Sequence, residues 1–529
     1  MFSGNYERYV FFEGDVMAEE MNKKKSLTIS QTFSSSEPPQ TRLTDKSTMH
    51  SPVFSIGLKN IGPIESGDIE IKPCTIIIGS NRSGKSYIAK TIYALYSLQN
   101  YLYYSTSPLP HNFKSPLRDE LPVPQELYEL LRKWDTKTDL ILPDSTLSTI
   151  NSSLFAYISE NLFSSVIQDV FNTQLKDLKS KQTKEGEFTY IIKGQKISIT
   201  LEKNALHLRN VPDSLPLINY KISYRKEDGV IDISYHNFHF VHPISHLKEK
   251  TGFENIARDV TYCIAAGLIQ EFYFYSAFDG VYFPAGRASL MEMKPFVSIQ
   301  LLSSSRISAK SSPKMSSVFS DFFALLEKIS TTKDISNDQY DDLIYQLIGG
   351  RFEIKKISDS SHEYQYYTEK SPIPFHLLSS GVQELAPILL YIKYRMQAGD
   401  LIIIEEPEAH LHPANQLIMA QLITKMIREK VTVILTTHSD YLVEQLANHL
   451  KAGLLSPEDR KALVSDSDYY IKSDEIAVYL MEKSEKINLY HARSIPIDPA
   501  KGIPSEEFVK VSELLYNETI QIEQEIEAE

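Results

Sequence analysis

One stretch limits what this chain can fold into more than any other. The apolar run Thr75-Ile76-Ile77-Ile78 ends in Gly79-Ser80-Asn81-Arg82-Ser83-Gly84-Lys85-Ser86, and helical text follows to about Leu98. The spacing is G-x-x-x-x-G-K-[ST], in the strand-to-helix setting that the pattern needs. A run apolar on both faces reads as a central parallel strand covered by helices on either side. In such a loop the backbone amides and the helix N-terminus converge on phosphate, Lys85 faces the β- and γ-phosphates of a nucleotide, and the Ser86 hydroxyl ligates magnesium.

A second apolar strand, Leu401-Ile402-Ile403-Ile404, ends in the paired carboxylates Glu405-Glu406. The reading sets this strand beside the phosphate loop, and alternation sends the two side chains to different sides. Glu405 then holds the magnesium ion, usually through water, and Glu406 orients or deprotonates an attacking water. Leu378-Ser379-Ser380-Gly381-Val382-Gln383-Glu384 opens a helix. Its plainest reading is a capping box between Ser380 and Gln383. A sharper reading uses the same free amides to bind an anion, the γ-phosphate of an ATP held by a second subunit, at Ser379, Ser380 and Gly381. A further apolar strand, Val431 to Thr437, ends in His438, where an imidazole can touch the γ-phosphate and the attacking water. A lone histidine at a strand end is usually structural; its order after the other motifs raises it.

In this order the segments resemble the ABC-type ATPase heads of the OLD-like and RecF/SMC-like families. They are most similar to stand-alone AAA-type ATP-binding proteins, a group that includes anti-phage ATPases such as the Septu component PtuA. The resemblance makes Gly79 to Ser86 the Walker A loop, Ser379 to Gln383 the signature and Glu405-Glu406 the Walker B end. Ala409-His410-Leu411-His412 becomes the D-loop and His438 the switch histidine, while Phe283-Pro284-Ala285-Gly286-Arg287 is similar to a Pro-Ala-x-Arg element of the group. It implies an α/β fold, an ABC-type P-loop NTPase head with a large α+β insertion between Walker A and the signature motif. It also implies ATP and Mg2+ as cofactors and a homodimer or higher homo-oligomer closing head-to-tail. A separate effector protein in prokaryotic defence or DNA maintenance follows from the same resemblance. The chain departs from the commoner pattern in having Glu405 where Asp is usual and Ser380 where glycine is usual, and no glutamine-bearing Q-loop is placed. Two rivals stay open: an assembly switch that binds ATP with little turnover, and a DNA-repair ATPase.

The remaining polar clusters compete poorly with this reading. Asp466-Ser467-Asp468, with Asp474 and Glu475 nearby, has the spacing of a nuclease acidic pair, but no glutamate-glycine turn and only Ala462-Leu463-Val464 lead into it, so it reads as a solvated turn. His236, His239, His242 and His246 have tempting spacing for a metal, yet strand text puts His239 on the face opposite His236 and His242. His410 and His412 are explained by the D-loop.

Composition sets the outer limits. Of 529 residues, 55 are Lys or Arg and 68 Asp or Glu, a formal charge of −13, which argues against a general nucleic-acid sponge and leaves nucleic acid to a local patch. Cys74 and Cys263 are the only cysteines, so there is no disulfide framework, and a reducing, cytoplasmic setting is expected. Val260 to Phe283 carries Gln270, Glu271 and Asp279 and reads as a buried helix running into a strand, not a membrane span. Residues 1–50, centred on Ser34-Ser35-Ser36-Glu37-Pro38-Pro39, read as a poorly structured extension with Met17, Met21 and Met49 as alternative starts. The head is expected over 51–450, interrupted by an insertion at about 101–280, with 451–529 an α/β segment ending in an acidic helix.

Overall fold

Alternating apolar residues between Phe54 and Ile71 give two antiparallel strands, β1 (Phe54–Ile61) and β2 (Ile64–Ile71). The run before the glycine-rich motif is β3 (Cys74–Gly79), buried at every residue, and α1 (Lys85–Thr106) starts at the motif's lysine. Next come α2 (Gln125–Lys133), α3 (Asp144–Tyr157), α4 (Phe163–Phe171) and the single turn α5 (Leu175–Leu178). The span from Asp144 to Leu178 is helical but not one helix. A π-helical turn, Ile158–Leu162, joins α3 to α4, and Asn172 ends α4 at φ 50°, a conformation asparagine tolerates better than most residues.

The middle of the chain supplies β4 (Glu185–Ile192), β5 (Gln195–Glu202), β6 (Ala205–Leu208), β7 (Lys221–Arg225), β8 (Val230–Tyr235), β9 (Phe238–Pro243) and α6 (Gly252–Phe272). Then follow β10 (Gly280–Phe283), α7 (287–294), α8 (Ser317–Thr331), α9 (Asp341–Ile348), β11 (Arg351–Ser358), β12 (Ser361–Tyr367) and β13 (Pro372–Ile373). The last third holds α10 (Ser380–Tyr394), β14 (Leu401–Glu405), α11 (Pro413–Arg428), β15 (Thr432–Thr437), α12 (Asp440–Ala452) and α13 (Pro457–Val464). It closes with β16 (Ile476–Lys483), β17 (Tyr490–Ser494) and the acidic α14 (Glu506–Ala528).

This computed structural model describes residues 54–106, 120–134, 140, 142–192, 194–212, 215, 221–225, 230–235, 238–243, 252–272, 280–294, 315–331, 336–358, 361–368, 371–464, 466, 468–485, 487–504 and 506–528. The extension expected over 1–50 lies outside the described residues.

Eleven strands make one sheet, in the order β10-β14-β15-β3-β16-β17-β2-β1-β4-β5-β6. The first five run parallel. Their residues alternate between two cores. Ile77, Ile403 and Ile434 pack with α1 and α6, while Ile76, Ile402 and Val433 pack with α10, α11 and α12. The centres of these strands are apolar because they are covered on both faces, and the α/β expectation holds in this mixed fold. Among the described residues no helix is long and apolar enough to cross a membrane.

Three positions differ from the reading. The strand beside β3 is not β14 but β15, with Leu435 opposite Ile76 on one side and Ile404 on the other. Burial fixes that a strand is central, but helical crossovers leave the lateral order of parallel strands unspecified. Strands β4 to β6, from the stretch read as insertion, extend the main sheet through β1. From the segment after 450, β16 joins the sheet directly beside β3.

Candidate functional site

The loop Gly79–Ser86 lies between β3 and α1 at the C-terminal end of the parallel strands. The first helical bonds run from the Tyr87 and Ile88 amides to the Gly84 carbonyl, at 2.9 and 3.2 Å. The amides of Lys85 and Ser86 therefore precede the helix's own bonding and suit an anion. Gly84 sits at φ 101°, and a Cβ there would lie 2.8 Å from the Ile64 side chain, so backbone conformation and close packing both demand glycine. Ser80, Asn81, Arg82 and Ser86 are exposed, while Ser83 and Lys85 are buried.

Lys85 curls back over the loop. Its Nζ donates to the carbonyls of Gly79 at 2.8 Å and Ser80 at 2.9 Å, and lies 3.0 Å from His438 Nε2. Burial pulls its pKa down to about 8, against the opposing charges of Glu406, Glu408 and Glu405. His438 Nε2 is also 3.4 Å from Glu406 Oε1. That nitrogen can accept from the ammonium or, carrying a proton, donate to the carboxylate, and one protonation state does not permit both. The histidine holds the Glu406 carboxyl below its ordinary value, with Lys85 and Arg287 adding in the same sense against burial.

The two glutamates differ in backbone as well as in partners. Glu405 is the last strand residue; parity puts it with Ile403 on the face shared with α1. Its Oε2 accepts from the Ala285 amide at 3.2 Å, and its Oε1 is buried; the carboxylate also faces the buried Tyr282 hydroxyl, whose pKa burial and then Glu405 push up. Glu406 leaves the strand at φ 46°, its amide bonded to the Thr436 carbonyl at 2.9 Å. Glu408 went unread in the sequence. Its Oε1 accepts from Thr437 Oγ1 and from the His438 amide, both at 2.7 Å, and so anchors the histidine loop to the turn after β14.

At the start of α10 the cap is Ser379, whose Oγ accepts from the Val382 amide at 3.5 Å. The capping box of Ser380 and Gln383 does not form. Ser380 is already helical, and Gln383 Nε2 donates to the Phe375 carbonyl at 3.0 Å because the preceding turn brings that oxygen within reach. Ser379 and Ser380 are exposed. Gly381 packs on the turn after β14, where a Cβ would stand 2.9 Å from the His410 carbonyl. His412 caps α11, its Nδ1 accepting from the Ala414 amide at 3.3 Å.

Arg287, weakly marked in the sequence by the Pro-Ala-x-Arg resemblance, is wholly buried and pairs with Glu384 at 3.2 Å. Neither partner announces this, since 97 residues separate them.

The other clusters do not join this site. His236 and His246 lie outside the described residues, and His239 and His242 belong to β9. Asp466 Oδ1 accepts from the Asp468 amide at 3.0 Å in a local turn, and Glu475 pairs with Arg428.

Residues 288–443 match the family model described as AAA ATPase domain. The match spans Ser379–Gly381, Glu405, Glu406 and His438 and stops short of Gly79–Ser86. No curated protein matches the chain. Among solved structures, the Smc head bound to the C-winged helix domain of ScpA is similar at TM-score 0.34 and 12% identity, over 85% of this chain and 99% of that one. A Smc head with an extended coiled coil, bound to the C-terminal domain of ScpA, from Pyrococcus furiosus, gives 0.34 and 12% over 88% and 100%. The SMC head of Thermotoga maritima gives 0.31 and 11% over 84% and 100%. The family match agrees with the AAA-type ATPase resemblance read from the motifs and does not reach its Septu branch.

Proposed function

For a chain whose residues 288–443 match an AAA ATPase domain, we propose that it binds and hydrolyses ATP and that ATP closes two copies head-to-tail. The observation that carries this reading is the meeting of Lys85, His438 and Glu406, which are far apart in the chain, within 3.0 and 3.4 Å of one imidazole nitrogen. Gly79 to Ser86 cradle the phosphates, and the Lys85 ammonium leaves its carbonyl partners to face the β- and γ-phosphates. Glu406, ionised at neutral pH, takes a proton from the attacking water, and His438 orients that water and the γ-phosphate.

Ser86 and Glu405 are the residues suited to magnesium. Both offer hard oxygen donors, and Glu405 Oε1 is a buried carboxylate oxygen with no cation against it among the described residues. Bound magnesium supplies neutralisation of charge on the β- and γ-phosphate oxygens.

Exposed Ser379 and Ser380, with Gly381, form the surface that receives the γ-phosphate of the partner's ATP, since a free helix start favours an anion. Hydrolysis reopens the dimer, which regulates a separate effector in prokaryotic defence or DNA maintenance from the cytoplasm. In this reading 51–450 is the head, and its insertion at about 101–280 and the C-terminal segment 451–529 complete the sheet of that head through β4 to β6 and β16. A slow switch is the second reading. Glu405 is one methylene longer than Asp, and one of its oxygens is taken by the Ala285 amide.

Steady-state ATP hydrolysis by the wild type, Lys85→Ala and Glu406→Gln, with and without duplex DNA, tests the reading. Lys85→Ala should lose binding and turnover. Glu406→Gln should bind ATP and turn over at least roughly ten-fold more slowly. Wild-type turnover near zero with tight binding favours the switch, strong stimulation by duplex DNA favours the repair reading, and unchanged ATP affinity in Lys85→Ala removes the phosphate-loop assignment.

A further inference from the structure

Arg287 opens α7 and is the bulkiest wholly buried side chain among the described residues. A guanidinium carries five N–H donors in a rigid fork, and here four of them are spent on backbone carbonyls. Nε donates to the Glu384 carbonyl at 3.0 Å. Nη1 donates to the carbonyls of Pro284 at 2.9 Å and Glu405 at 2.6 Å. Nη2 donates to the Glu406 carbonyl at 3.1 Å and lies 3.2 Å from Glu384 Oε1. The Glu384 carboxylate in turn accepts from the amides of Arg287 at 3.0 Å and Ala288 at 2.8 Å. One cation thus joins the turn after β10, the first turns of α10 and the backbone of both glutamates.

Two further facts give this junction a direction. Glu406 holds a left-handed backbone, φ 46°, which is costly for a residue with a Cβ and persists only where neighbours enforce it. The exposed start of α10 lies at Ser379 and Ser380, four to five residues before Glu384 on the same helix. We propose that Arg287 is a positioning residue that sets the aim of Glu406 according to where α10 stands. A γ-phosphate docking on the helix start moves Glu384, Glu384 carries Arg287, and Arg287 carries the carbonyls of Glu405 and Glu406. The inference rests on the ATPase reading above and adds to it how engagement of the second subunit reaches the catalytic carboxylate.

The test is a double-mutant cycle in kcat with Arg287→Lys and Glu406→Gln. Lysine keeps the charge but cannot span the five oxygens. Arg287→Lys should hold the ATP Kd within about three-fold and lower kcat at least roughly ten-fold, because aim is lost while binding is kept. Combined with Glu406→Gln it should be no slower than Glu406→Gln alone, since Arg287 acts through that carboxylate. A merely structural brace would multiply the two losses. Arg287→Met with Glu384→Leu removes both buried charges together and so avoids an unpaired buried charge; where circular dichroism shows it folded, it should give the same loss and the same non-additivity. Wild-type kcat in either folded variant, or multiplied losses, overturns the coupling. A Glu406→Gln protein as active as the wild type overturns the role given to Glu406, and a wild type with no turnover overturns the ATPase reading itself, whereas a slow Glu406→Gln beside a fully active Arg287→Lys overturns the coupling alone.

Discussion

Lys85 is the residue at which burial and chemistry oppose each other. With its pKa pulled from 10.5 to about 8 by burial, the folded chain binds fewer protons than the unfolded chain between those values. The sign follows from linkage: over that window this group makes stability rise with pH, because a buried ammonium is being relieved. ATP reverses the balance, since phosphate oxygens favour the charged form. Nucleotide binding above pH 8 should therefore take up a proton, and the calorimetric enthalpy there should differ between Tris and phosphate by their ionisation enthalpies. Well below pH 8 that difference should vanish. Glu408 makes a separate residue-scale prediction. Glu408→Ala frees the Thr437 hydroxyl and the His438 amide, so turnover should fall on the order of ten-fold with ATP affinity nearly unchanged. A parallel loss of affinity, read by calorimetry, would mean that Glu408 braces the loop around Lys85 instead.

Between elements, the contacts at the head of α10 decide the geometry. Gly381→Ala drives a methyl group toward the His410 carbonyl, 2.9 Å from where its Cβ must go. Backbone cannot yield as a flexible side chain does, so a stability loss of about 1–3 kcal/mol is expected by denaturant unfolding. Arg287→Ala should cost more, on the order of 3–5 kcal/mol, because the wholly buried Glu384 carboxylate loses its cation. The apolar runs that became β3, β14 and β15 were legible because residues such as Ile77, Ile403 and Ile434 need cover on both faces, and the glycine-rich loop because its spacing is fixed by phosphate. The interposition of β15 was not legible, nor was the Arg287–Glu384 pair. Lateral order in a parallel sheet and contacts across 97 residues leave no local pattern. At Ser379 and Ser380 the reading was one residue out, since several adjacent residues there can serve as a cap.

For the whole molecule, the formal charge of −13 disfavours broad attraction to nucleic acid and leaves association to a built surface. The proposed surface joins the phosphate loop of one copy to the exposed start of α10 in the other. Glu406→Gln with ATP should therefore accumulate as a closed dimer by light scattering, and an oligomer distribution equal to the wild type would argue against closure. Complementation addresses the central claim most directly. Ser379→Arg sets a bulky cation where the partner's γ-phosphate docks and spares the phosphate loop of its own chain, whereas Lys85→Ala disables only the loop. A mixed dimer holds one composite site with both defects and one with neither. When the two inactive proteins are mixed and subunit exchange is confirmed, partial ATPase activity should return; a mixture as inactive as either variant alone would contradict a site shared between two chains.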